Sequence, residues 1–138
     1  MAQFVKMTLT GVHLTKTTID KFVKYGPKAI HRASSKMATY CARRERKYLK
    51  GPYSKGRTQI RKTGAKGNYT ITATHPQGDA ALASIEYGAA PHLIPNNPIW
   101  KGRIHPGMEG KHFASKAFDE TTRKANRIIG QALKEFGL

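Results

Sequence analysis

The spacing of apolar residues divides this chain into an N-terminal part that reads mainly as helix, a middle that reads as strands and a C-terminal helix. Phe4, Met7 and Leu9, then Val12 and Leu14, fit an extended arm or edge strand over residues 1–14, bent at Gly11. Ile19, Phe22 and Val23 share one face of a short helix, capped by Thr17 or Thr18, with Asp20 in its first turn where negative charge is favoured. Gly26-Pro27 interrupts that helix, and Pro27 suits the first position of the next one, where its missing N–H costs nothing. Over residues 27–50, Ile30, Ala33, Met37, Cys41 and Tyr48 recur at helical spacing, supported by Ala29, Ala38 and Ala42. Such a helix outruns the core of a small domain, so part of it is expected to reach toward a neighbour.

Residues 51–67, rich in glycine and basic side chains, read as a mobile outer loop. Residues 68–75, NYTITATH, alternate strictly and make the clearest strand, with Tyr69, Ile71 and Ala73 on one side and Thr70, Thr72 and Thr74 on the other. After a turn at Pro76-Gln77-Gly78-Asp79, residues 80–87 read as a second strand, with helix as the competing reading of that alanine-rich piece. Residues 99–104 make a short third strand. Over residues 111–136, Phe113, Ala117, Phe118, Thr121, Ala125, Ile128, Ile129, Ala132, Leu133 and Phe136 form a helical stripe that stops at Gly137. The expected fold is α+β: a small antiparallel sheet of about three to five strands covered by the long first helix and the last one. At 138 residues the chain fits a single domain that buries about two-thirds of its unfolded surface.

Charge sharpens the division. Residues 1–70 hold seventeen Lys or Arg against Asp20 and Glu45, whereas residues 71–138 hold eight against six acids, so fifteen of the seventeen net positive charges precede Ile71. The exposed side of the long helix and the following loop carry Lys36, Arg43, Arg44, Arg46, Lys47, Lys50, Lys55, Arg57, Arg61, Lys62 and Lys66. Such a surface is drawn to polyanions or to an acidic protein face, and a plain solvated face is the alternative. If about five of these residues touched duplex phosphates, log affinity would fall against log salt with a slope of about −4.5.

The residues that can carry chemistry are few. Cys41 is the only cysteine, which excludes an intramolecular disulfide and reads as a small buried hydrophobe. His92, His105 and His112 lack a cysteine partner or a carboxylate at ligand spacing, so no metal or other cofactor is expected. Glu86 with His92 or His105 is the one plausible acid and base pair, and no catalytic residue is assigned to it. The two imidazoles fit bonds to backbone carbonyls better. No phosphate-binding glycine loop, zinc finger, paired recognition helices or glycine-flanked aromatic strand motif is present. The start, MAQFVKMTLTGV, alternates and does not read as a secretory leader, and no apolar run nears the ~20 residues that span a bilayer. A cytoplasm, or an assembly built there, is the expected setting.

Glycine, proline and histidine concentrate in residues 86–113. Glu86-Tyr87-Gly88 is followed by Pro91-His92-Leu93-Ile94-Pro95, then by His105-Pro106-Gly107, Gly110 and Phe113. Gly88 permits a positive φ where a strand ends, Pro91 and Pro95 stiffen the next loop, Pro106-Gly107 reverses the chain, and Phe113 anchors the last helix in the core. These 28 residues resemble the tail-completion or neck proteins of long-tailed bacteriophages and proviruses. That family has E-[FY]-G at a strand end, a P-H-x-I-x-P loop, and H-P-G-x-x-G-x-x-F opening the C-terminal helix. The stretch from Gly51 to Ile60 departs from the family's Pro-x-x-T-G-x-L.

The resemblance implies a noncatalytic α+β subunit of the virion neck. It would form a homo-oligomeric ring between a portal-side connector and a tail tube or terminator protein, with packaged DNA nearby and no membrane. The sequence leaves two rivals: a tail terminator subunit, and a free DNA- or RNA-binding protein acting through phosphate contacts.

Overall fold

The computed structural model describes residues 16–49, 58–94 and 102–138. The expected arm at 1–14 lies outside them. Helix α1 runs without a break over Lys16–Tyr48, 33 residues, which is about 50 Å. It therefore starts too early for Thr17 or Thr18 to cap it from outside, and no acid falls in its first turn. Pro27 lies inside the helix and does not divide it. A proline there removes one bond, to the carbonyl of Val23, and Val23 sits on a turn open to water that can satisfy that carbonyl. Tertiary contacts on both sides of the missing bond hold the helix: the Tyr25 ring stacks on Phe136 with centroids 6.2 Å apart, and Ala29 and Ala33 are buried.

Helix α3, Phe113–Glu135, packs antiparallel along α1, as the Tyr25–Phe136 stack at one end and the Arg44–Glu120 ion pair nearer the other require. Small residues at the seam, Ala29 and Ala33 on α1 with Ala117 and Ala132 on α3, let the two axes approach. The end of α3 is closed by paired bonds, Leu138 N–H to the Leu133 carbonyl (3.1 Å) and Gly137 N–H to that of Lys134 (3.0 Å). Because Phe136 meets Tyr25, residues 16–24 of α1 have no α3 beside them, and Ile19, Phe22 and Val23 stand exposed there.

Strands β1 (Gln59–Ala65) and β2 (Asn68–Thr74) form a hairpin in which Ala65 faces Asn68, leaving Lys66-Gly67 as a two-residue turn. Both turn residues have positive φ, 52° and 87°, the geometry whose twist matches that of the strands. The mobile loop expected over 51–67 is thus corrected over its second half, while 51–57 lies outside the described residues. Ile60 is the anchor: it alone of β1 is buried, and it joins Ala42, Leu49, Ile85 and Phe113 in the core. On β2, Ile71 and Ala73 pack against that core and the threonines face outward, as the alternation predicts.

Residues 79–87 are a helix, α2 (Asp79–Tyr87), and not the second strand of the expected sheet. Four alanines or leucines in succession favour helix, Asp79 lies in the first turn, and helical twist turns Leu82 and Ile85 toward the core. The expected third strand appears as β5 (Arg103–His105), the part of 99–104 before Gly102 being outside the described residues.

With the second strand gone, the single sheet of three to five strands is replaced by three two-stranded sheets. Two of them are halves of one ribbon. Strand β3 (Gly88–Ala89) pairs with β6 (Met108–Glu109) and β4 (His92–Ile94) with β5, and both pairs keep one register, Gly88 opposite Glu109 and His92 opposite His105. At that offset Pro91 stands level with Pro106. Neither has an N–H to give, so the ladder lapses between the halves. The fold is α+β, with N- and C-terminal helices flanking short antiparallel pairs.

Candidate functional site

Helix α3 begins at a residue that cannot cap it. His112, at the N-cap, has left-handed backbone (φ 49°) and makes no side-chain cap bond. Glu86, 26 residues earlier, performs that role from the end of α2. Its carboxylate accepts from Ala114 N–H (3.0 Å), Ser115 N–H (3.1 Å) and the Ser115 hydroxyl (2.7 Å), while its backbone carbonyl accepts from His112 N–H (3.0 Å). A buried anion at a helix N-terminus satisfies otherwise unpaired donors and meets the positive end of the dipole. Burial by itself pushes the Glu86 carboxyl up. The bonds from the Ser115 hydroxyl and the two amides, with His112 nearby, outweigh it and hold the group below the usual carboxylate range.

Two close backbone contacts complete this lock. Gly88 (φ 86°) and Gly110 lie back to back: a Cβ on Gly88 would come within 2.7 Å of the Met108 carbonyl, and one on Gly110 within 2.7 Å of the Glu86 carbonyl. Gly107 (φ 81°) packs against Ala89 and Pro91 at the lapse in the ribbon, where a Cβ would meet the Ala89 carbonyl at 2.2 Å. Neither approach tolerates a side chain. Phe113, buried at the first position of α3, joins the main core. The structure therefore gathers Glu86, Gly88, Pro91, Pro106, Gly107, Gly110 and Phe113 in one place. It puts Glu86-Tyr87-Gly88 at a helix end and not a strand end, and His92 to Ile94 in β4 and not a loop. Tyr87 points outward, the Ile94 side chain is not described, and Pro95 lies outside the described residues.

The histidines serve the ribbon. His92 and His105 stack with ring centroids 5.2 Å apart; His92 Nδ1 lies 2.7 Å from the Ala90 carbonyl, and His105 Nδ1 accepts from Gly107 N–H at 3.0 Å. The second contact is to an amide, where a carbonyl was expected. Both oxygens of the Glu86 carboxylate are turned to α3, where they accept from Ala114 and Ser115. Among the described residues no three His, Cys, Asp or Glu side chains are placed to hold a metal ion. Burial pushes the Cys41 thiol up, as suits a buried hydrophobe.

Basic residues collect along one side of the α1–α3 seam. Lys36, Arg43, Arg44, Arg46 and Lys47 line a groove whose other wall is Lys124 and Arg127 of α3. Those two were missed in the sequence. Arg44 makes a two-pronged ion pair with Glu120, which holds that carboxyl at about 2 and raises the guanidinium's own pKa. Arg32 and Lys36 both meet Glu135, and Lys36 chiefly holds its carboxyl below the ordinary range. Arg46 donates to the Ile60 carbonyl (2.6 Å), and Lys62 reaches from β1 to the Thr39 hydroxyl (2.8 Å), so these two tie the hairpin to α1. Arg61 and Lys66 lie exposed on the hairpin away from the groove; Lys50, Lys55 and Arg57 lie outside the described residues.

The opposite side of the seam is apolar, lined by Met37, Ala38, Cys41, Phe118 and Ala125, with Glu45 at its edge. Glu45 is 7 % exposed; burial pushes its carboxyl above the ordinary range, the charge of Glu86 adds to this and Arg46 opposes it. Among the described residues no helix is long and apolar enough to cross a membrane. No protein-family model, curated protein or solved structure matches the chain.

Proposed function

We propose that this protein is a structural subunit of the neck of a long-tailed bacteriophage, forming an oligomeric ring that joins the DNA-filled head to the tail. The observation that carries the reading is the end of α1 that runs on past α3, uncovered among the described residues. Over residues 16–24 it leaves the domain with Phe22 49 % and Val23 73 % exposed, beside Ile19. A contiguous apolar stripe on a projecting helix fits burial against another subunit. Contact between this projection and a different surface of the next copy is heterologous, and repetition of such a contact about an axis closes a ring.

The resemblance of residues 86–113 to neck proteins supports the same reading, since Glu86, Gly88, Gly107, Gly110 and Phe113 among the matching positions fix the ribbon to α3. The ribbon presents Leu93 and Ile104, paired across its strands and both exposed, as a second surface for a neighbour. No step of catalysis enters: assembly is the activity, and a portal-side connector and a tail tube or terminator protein are the partners.

Native mass spectrometry and negative-stain electron microscopy of the purified chain test the ring. The wild type is expected as closed oligomers, and Phe22→Asp with Val23→Asp as protomers of unchanged melting temperature. A wild-type monomer at every concentration, or oligomers indifferent to the two aspartates, would overturn the ring built through α1.

A further inference from the structure

We infer that the basic groove between α1 and α3 binds the phosphodiester backbone of nucleic acid, duplex DNA in the first instance. On α1, Arg32, Lys36, Tyr40, Arg43 and Lys47 follow one another at intervals of three or four residues, so they form one row along the helix. Facing them across the seam are Lys124 and Arg127, with Gln131 beyond. From Arg32 to Lys47 the row is about 22 Å long. One strand of duplex DNA presents about six phosphates over that length.

The charges of the groove are only partly used up internally. Glu135 engages Arg32 and Lys36, and Glu120 engages Arg44. Among the described residues no carboxylate lies within ion-pair distance of Arg43, Lys47, Lys124 or Arg127. Tyr40 collects three cationic heads in the middle of the groove: Arg43 at 5.7 Å, Arg44 at 5.8 Å and Lys124 at 5.6 Å from its ring centroid. Four cations without an ion pair held together repel one another, and a string of phosphates relieves that repulsion with release of counterions.

The groove suits phosphates better than an acidic protein. Protein interfaces are centred on apolar or aromatic anchors with charge at the rim. Here the one aromatic residue of the lining, Tyr40, is half-buried and covered by cationic heads, and the one large aliphatic residue, Ile128, is buried, so neither stands open as an apolar anchor. The exposed apolar side chains lie elsewhere, on the α1 projection, the ribbon and the far side of the seam. Binding in this groove does not depend on the neck reading: a chain that forms no ring keeps the groove, and a ring that joins heads to tails does not require it.

Fluorescence anisotropy of the full chain with a labelled duplex of about 30 base pairs, from about 50 to about 300 mM salt, tests the inference. With five phosphate contacts the slope of log affinity against log salt is about −4.5. Replacing Arg43→Gln, Lys124→Gln and Arg127→Gln together should lower the slope by about 2.7 and cost at least tenfold in affinity at ~150 mM salt. The matched set Arg61→Gln, Lys66→Asn and Arg103→Gln removes the same charge away from the groove and should cost less than about threefold. Equal losses in the two sets would overturn the site. A polyglutamate of matched charge that displaces the duplex as well as unlabelled DNA does would overturn it in favour of an acidic protein partner. If the groove triple melts early, Arg127→Gln alone is read instead: a slope shallower by about 0.9 supports the site, and an unchanged slope contradicts it.

Discussion

Two glutamates buried in this small basic protein carry opposite signs in its pH dependence. Glu86 has a depressed pKa because α3 donates to its carboxylate, so the stability it contributes is present above the unfolded carboxylate range and is lost as pH falls through the folded value. Glu45 has a raised pKa, so its charged form costs stability once pH rises through its folded value, and that cost is absent in acid. Thermal melts of two single variants check both statements. Glu86→Gln should lose about 1–3 kcal/mol at neutral pH and approach the wild type near the acid limit. Glu45→Gln should melt a few degrees above the wild type at neutral pH and converge with it below about pH 4. Two variants shifting in the same direction at neutral pH would contradict the assignment. The glycines and Phe113 of the lock were legible in the sequence. Glu86 was visible as a residue of a motif, yet its partner lay 28 residues away in Ala114, and nothing in local spacing reveals a helix cap supplied from another helix.

At the level of elements, the sequence was read correctly where one period dominated. Helix α3 and strand β2 each carry an unbroken pattern, and both stand where the pattern puts them. Elsewhere tertiary contacts override the local rule. Pro27 ordinarily ends a helix, but one lost bond on a wet turn is outweighed by the packing of α1 on α3. Residues 59–65 looked like a loop because Ile60 is their only core residue; their structure comes from the partner strand and the turn at Lys66-Gly67. In residues 80–87 the helix propensity of alanine, the competing reading of that piece, prevails over the strand expected after the turn. Pro27→Ala restores the missing bond and should stabilise the domain by about 1–3 kcal/mol in urea unfolding with an unchanged m value. A loss of stability would mean that the proline is needed where it stands.

For the whole molecule, the charge imbalance between the halves of the sequence is partly undone by folding. Lys124 and Arg127, from the nearly neutral half, complete a groove begun by the basic helix, while Glu120 and Glu135 from the same half neutralise Arg44, Arg32 and Lys36. A count along the chain hides this, because α3 is close to neutral in sum and basic on the face it turns to the groove. The proposed ring adds a division of labour: apolar surfaces on the α1 projection and the ribbon for neighbours, a basic groove between them for phosphates, and the Glu86 lock holding the ribbon to α3. The neck reading is tested most directly by electron microscopy of particles made when the gene is deleted and then supplied again as wild type or as Phe22→Asp with Val23→Asp. Full heads and finished tails that stay apart without the protein, join with the wild type and stay apart with the double variant are the predicted result; normally joined particles in the deletion would contradict it.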